Sequence, residues 1–353
     1  MKASKIFTLL LMLFTMLTSY AQEEEKKEEF KPNGKATGTV FFNYHYDLTE
    51  GVEKKSQFEL LRSYFGYTYN FSEKFTTKVL FDVGYEEKVT DALTNKKTNS
   101  FTAFLKIASL EYKINKMLTI EGGMIATHIG DVQEKFWGYR YILATQQIRD
   151  KFNSSADLGV KGTFKPIDML EFHLGVYNGE GYKSIQDNFG SQRVTADVVI
   201  RPIEGLIFKT YYDIKPKRDT SALVTDSLKQ TQNILNFFLG YEKKDLFRLG
   251  VEYNMLTDAE NKESHDINGI STYGTLTIKK IELLARYDQL ASITLSGATD
   301  PWNNAKDYSM ILGGIQFSPI KGVKTGLNYR HFTPRASGAT AMDLIYVNFE
   351  FKF

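Results

Sequence analysis

The chain has 353 residues, with 44 Lys and Arg against 42 Asp and Glu, a formal net charge of +2 and no cysteine. A near-neutral balance argues against nucleic acid, which selects a strongly basic surface, and the missing cysteines exclude disulfides, thiolate catalysis, cysteine metal sites and a lipidated cysteine anchor. Aromatic residues reach 14% and charged residues 24% while mean hydropathy is negative, which fits a soluble β protein or a membrane barrel whose alternating strands hide their apolar face.

Residues 1–21 read as a secretory signal peptide: Lys2 and Lys5, then the apolar run IFTLLLMLFTML, then TSYA with the small Ala21 at the cut. The run is too short for a membrane helix, which needs about twenty apolar residues. Cleavage after Ala21 lowers the formal charge from +2 to 0. Residues 22–35, QEEEKKEEFKPNGK, are charged and patternless, and read as a solvated periplasmic leader. A barrel domain is expected over 36–353.

From residue 36 the chain alternates with period two. Short polar turns separate some runs: NFSEKF at 70, INKML at 114, EKKDLF at 242, KKI near 280, and three Pro-Ile copies, KPIDML at 165, RPIEGL at 201 and SPIKGV at 318. Proline presets one dihedral and removes an amide at such reversals. Long polar connections fall between them, at 47–57, 87–100, 127–155, 179–190, 215–231, 257–269, 290–306 and 333–340. Short and long connections alternate, which predicts an all-β, transmembrane antiparallel barrel of about sixteen strands with both termini on the short-turn side.

The faces sort the same way. Phe247, Leu249, Val251, Tyr253 and Met255 oppose Arg248, Gly250, Glu252 and Asn254, and Leu170, Phe172, Leu174 and Val176 oppose Glu171, His173, Gly175 and Tyr177. A charge facing lipid at mid-bilayer costs on the order of 2 to 4 kcal/mol, so the charged face is expected inward. Parity then puts Arg62, Lys78, Lys161, Lys209, Arg248, Arg286, Lys324 and Arg330 on the inner wall, together with Asp82, Asp157, Glu171, Asp213, Glu252, Glu282 and Asp288. The strand FTAFLKIASLEYKI, 101–114, mixes both faces, so Lys106 takes no assignment and a bulge or shifted boundary is expected there. The last strand, Ile345 to Phe353, has one apolar face and is expected to pair with a first strand near 36–46 and close the barrel.

The stretches FELLRSYFGYTYNFSEKF at 58, KVLFDVG at 78, GGMIATHIGD at 122 and FWGYRYILATQQIRDKFNSSADLGVKGTF at 136 resemble the phosphate-selective porin O and P type outer-membrane porins, especially those of Bacteroidetes-like bacteria. The resemblance implies a sixteen-stranded homotrimer in the Gram-negative outer membrane whose long third loop folds into the pore. The final phenylalanine, Phe353, itself resembles the signal by which outer-membrane proteins are delivered to the barrel-assembly machinery. On this reading Lys135, Arg140, Arg149 and Lys151 of the third loop join Arg62, Lys78, Lys161, Lys209, Arg248, Arg286 and Arg330 as candidate pore-lining or anion-contact residues. The wall signs nearly balance, so no dense arginine ladder argues for phosphate itself.

The expected function is passive diffusion of small hydrophilic solutes or anions, with phosphate among the candidates. The alternative is a binding or structural barrel without an open channel. An enzyme is not expected. His45, His128, His173, His265 and His331 are scattered without HExxH spacing, the mature chain lacks GxSxG, and nothing in the spacing calls for a metal or other cofactor. A soluble periplasmic β protein is the remaining rival, and would extract without detergent.

Overall fold

Alternation dictates strands, and short turns dictate that successive strands pair antiparallel. The computed structural model describes residues 30–91, 96–186, 191–217 and 230–353, with the backbone alone for 86–91 and 96–99. Its folded unit runs over Pro32–Phe353. The signal-peptide expectation and most of the leader lie outside the described residues.

The strands are β1 Asn33–Asp47, β2 Ser56–Asn70, β3 Phe75–Asp91, β4 Lys96–Lys113, β5 Leu118–Ala126, β6 Ala156–Ile167, β7 Leu170–Tyr177 and β8 Arg193–Ile200. They continue as β9 Leu206–Lys215, β10 Gln232–Lys243, β11 Phe247–Thr257, β12 Ile267–Ile278, β13 Ile281–Ser292, β14 Tyr308–Ile320, β15 Val323–Pro334 and β16 Met342–Lys352. Each pairs with its sequence neighbours, and β1 pairs with both β2 and β16, so the sheet is a closed barrel without an edge. The expected closure between the first and last strands holds in detail, from Thr39 opposite Lys352 to Asp47 opposite Leu344.

Burial is inverted relative to a soluble protein. On β11, Leu249 is 55% and Val251 43% exposed, whereas Glu252 and Asn254 are fully buried. The exposed apolar face suits lipid, and the polar face points to the lumen. Among the described residues no helix is long and apolar enough to cross a membrane.

Two expectations need correction. Residues 33–35, read as leader, open β1, because backbone pairing with β2 continues down to Asn33 opposite Asn70. Most of 87–100, read as a long loop, belongs to β3 and β4, whose ladder runs out to Asp91 opposite Lys96. Polar composition there reads as loop, whereas the backbone stays extended and paired. The bulge expected in the fourth strand is present. Leu80 pairs with Ile107 but Phe81 with Leu105, so Lys106 has no partner and the parity of β4 reverses around it.

Phe353 continues the closing ladder. Its carbonyl accepts from the Gly38 amide and its amide donates to the Gly38 carbonyl, each at 3.0 Å. Its ring fills the space over Gly38, where a Cβ would come within 2.2 Å of it. Deleting Phe353 is expected to lower the yield of inserted, heat-modifiable barrel while leaving the single-channel conductance of inserted molecules unchanged; a normal yield on gel-shift assay contradicts this.

Candidate functional site

Between β5 and β6 the chain leaves the wall for residues 127–155, the longest described connection. Two short helices form in it, α1 over Asp131–Trp137 and α2 over Gln146–Arg149. Gly138 ends α1 with a left-handed φ of 76°, the conformation that favours glycine at a helix end, and the Arg248 guanidinium lies 2.9 Å from where a Cβ would stand. Trp137, Tyr141 and Ile142 are buried against wall residues such as Phe238, Tyr273 and Leu312.

One side of this segment is clasped by the wall. Arg248 donates to the Trp137 carbonyl at 3.1 Å, Lys324 to Gly138 at 3.3 Å, Arg330 to Ile142 at 2.6 Å and Arg286 to Ala144 at 3.0 Å. Cations on carbonyls at the end of α1 also complement its dipole. Amides add specificity: Gln133 donates to Asn236 at 2.7 Å, and Gln146 accepts from Asn254 at 3.0 Å. Tyr139 bonds Glu282, and Tyr141 donates to Gln316 at 2.8 Å. Arg149 Nη1 reaches Asp288 at 2.7 Å and its Nε reaches Asp150 at 3.0 Å. Burial raises the Asp150 carboxyl, and Arg149 offsets only part of that rise.

The other side of the segment faces a cavity of about 550 Å³ against β1 to β5, lined by Tyr64, Lys78, Lys106, Asp131, Glu134, Lys135, Arg140 and Lys352 among others. Its acids are already paired: Glu134 with Arg140, and Asp131 with Lys209 at 3.0 Å. Among the described residues, Lys78 and Lys135 form no ion pair. Lys106 packs against aromatic rings, its Nζ lying 5.2 Å from the Tyr64 ring and 5.5 Å from the Tyr182 ring. Arg62 pairs with Asp82 at 2.9 Å, and Tyr182, from the connection after β7, donates to the same carboxylate at 2.6 Å. Burial, with Asp82 adding to it, pushes the Tyr182 phenol well above its usual range.

The eleven candidate residues therefore divide. Lys78, Lys135 and Arg140 line the cavity, and Arg62 is held in an ion pair with Asp82. Arg248, Arg286 and Arg330 clasp the segment from the wall, and Arg149, within it, reaches out to Asp288. Lys209 is buried under Asp131 and also bonds the His128 carbonyl, and Lys161 is held between Glu121 at 3.0 Å and His128 at 2.9 Å. Lys151, with a left-handed φ of 57°, borders a separate cavity of about 600 Å³ under Trp302, Tyr308 and Phe332. Lys106 and Lys352 joined the cavity without appearing among the candidates. The bulge at Lys106 was the available signal for the first.

A family model described as "Putative beta-barrel porin-2, OmpL-like" matches residues 74–333. No curated protein matches the sequence. Among solved structures, OmpF of Salmonella typhi in a complex with daunomycin is 13% identical with a TM-score of 0.67, over 91% of this chain and 97% of that one. The outer membrane channel DcaP of Acinetobacter baumannii is 10% identical with a TM-score of 0.65, over 93% and 99%. A trimer form of OmpT, an outer membrane protein of Vibrio cholerae, is 14% identical with a TM-score of 0.59, over 92% and 100%. At such identities these likenesses speak for the fold.

Proposed function

Since the chain belongs to the OmpL-like beta-barrel porin-2 family of outer-membrane porins, and so resides in the outer membrane of a Gram-negative bacterium, we propose that it forms a passive, non-enzymatic channel that prefers small anions. The 127–155 segment, on this reading, is a third loop folded into the lumen that narrows the path to the side facing β1 to β5. The observation that carries the preference is the cavity left there, lined by Lys78, Lys106 and Lys135, which among the described residues form no ion pair. Unpaired ammonium groups in a confined, poorly screened space raise local anion concentration and replace part of an anion's hydration shell. The clasp on the opposite side supports a fixed constriction, because it engages the segment at four successive points with charge-assisted hydrogen bonds.

Phosphate is the finer candidate, supported by the sequence resemblance and by the clustering of Lys78, Lys106, Lys135 and Arg140 around one cavity. Assembly as a homotrimer is supported by the trimer form of the similar OmpT barrel. The deciding measurement is single-channel conductance of the purified protein in planar bilayers, with reversal potential in a potassium chloride gradient and then with phosphate added. We expect open channels with an anion-side reversal potential. Correctly folded protein with no conductance would favour the closed binding barrel instead, and conductance that phosphate neither blocks nor biases would leave a general porin.

A further inference from the structure

His173 on β7 lies directly opposite Asp197 on β8. Its Nδ1 is 2.8 Å from Asp197 Oδ2, and its Nε2 is 2.9 Å from Glu171 Oε1. His128, just before α1, packs its ring 3.9 Å from the His173 ring, centroid to centroid, and holds a left-handed φ of 62° to do so. For a non-glycine residue that conformation is uncommon. The His128 Nδ1 then sits 3.8 Å from Asp197 Oδ1 and 3.7 Å from Asp131 Oδ2. Both His128 Nδ1 and Asp197 Oδ1 are buried without a hydrogen-bond partner, and the Asp197 side chain is only 1% exposed.

A plain ion-pair role explains His173, caught between two carboxylates. It leaves the other half of the cluster unexplained. A buried carboxylate oxygen and a buried imidazole nitrogen, aimed at the same gap and both unsatisfied, cost free energy that a bound cation would recover. One ligand atom from each of His128, His173 and Asp197 lies within 4.8 Å of the others. We propose that His128, His173 and Asp197, with Asp131 as a fourth oxygen donor, bind a divalent late first-row transition-metal ion of the zinc type in the lumen wall.

The donor set selects the metal class. Two imidazoles with carboxylates suit zinc, copper or nickel, whereas magnesium and calcium prefer oxygen alone. Metal–ligand bonds of about 2.0–2.2 Å bridge the 3.8 Å gap between His128 and Asp197 at a wide angle. Glu171 is placed as the outer partner of a ligating histidine, accepting from His173 Nε2 while Nδ1 offers its lone pair to the metal and any proton it carried is released to solvent. Lys161 must leave His128 Nε2, which becomes a donor in the bound form, and Glu121 already holds it at 3.0 Å. Asp131, Asp197, Glu171 and Glu121 face Lys161, Lys209 and Arg201 here, so a divalent ion enters a site that is not net positive. Entry is open, since His128 and Asp131 line the cavity of about 550 Å³ and His173 lines an adjoining one of about 310 Å³.

The test uses tag-free, detergent-folded protein stripped with chelator. Calorimetric titration with zinc chloride is expected to show one site per chain. Copper(II) loaded into the wild type is expected to show imidazole nitrogen coupling in its electron paramagnetic resonance spectrum, a readout that needs no variant to fold. The substitutions H128Q and D197N should weaken zinc binding on the order of a hundredfold and E171Q by roughly tenfold or more. H331Q, on β15 and bonded to Asp343, should leave it unchanged. Absence of a site in the wild type, of nitrogen coupling, or of any effect from both H128Q and E171Q overturns the proposal.

Discussion

Glutamate in place of Lys78, Lys106 and Lys135 is expected to turn an anion-preferring channel into a cation-preferring one. The three ammonium groups line one cavity, and the acids beside them are occupied by Arg140 and Lys209. Reversing all three therefore changes the fixed charge of the path without breaking an ion pair. In a tenfold potassium chloride gradient the wild-type reversal potential should lie on the anion side of zero and that of the triple variant on the other, within the ideal limit of about 59 mV for a monovalent ion. Screening supplies an internal check. The Debye length falls from about 10 Å at 0.1 M salt to about 3 Å at 1 M, so the difference should shrink as salt rises. Reversal at Lys280, exposed in the short turn between β12 and β13, should move nothing. Equal reversal potentials in wild type and triple variant at low salt would remove the cavity from the conduction path.

Much of the fold was legible because a membrane barrel writes its architecture in one dimension. Period-two alternation fixed which side chains face lipid, and the sorting of connection lengths fixed the strand count and the side of each loop. The bounds of the 127–155 segment were readable for the same reason: β5 ends at Ala126 and β6 begins at Ala156. Parity failed where backbone geometry departs from the ideal ladder, as at Lys106, whose extra residue no single-strand pattern can place. It also failed at β3 and β4, where polar residues form strand.

The site was less legible than the fold because parity gives a face and not a partner. Arg248, Arg286 and Arg330 share the inner face with Lys78, yet three of them hold backbone carbonyls of the loop and Lys78 lines the cavity. Which is which depends on where the 127–155 segment lies, and that is decided by contacts spanning more than a hundred residues. The histidines were hidden in the same way. His128 and His173 look scattered along the sequence, and only the register of β7 on β8 and the left-handed turn at His128 bring them to Asp197.

Methionine in place of Arg286 is expected to give the largest combined effect on stability and conduction. Arg286 is buried, donates from Nε to Asp288 at 2.8 Å and from Nη1 to Ala144 at 3.0 Å, and lies over the Trp137 ring at 5.1 Å. Removing one partner of a buried ion pair typically costs about 3–5 kcal/mol because the other charge stays behind; here Asp288 keeps only Arg149, and Glu252 stays buried nearby. The R286M barrel should therefore unfold at a lower temperature in detergent, read by the gel shift of heated samples, and its channels should be larger and noisier as the clasp at Ala144 opens. Adding D288N separates the two effects. It removes the stranded carboxylate, so most of the lost stability should return, whereas the Ala144 carbonyl still lacks its donor and the noise should persist. Should R286M lower stability while conductance and noise stay at wild-type values, the 127–155 segment is not what narrows the channel.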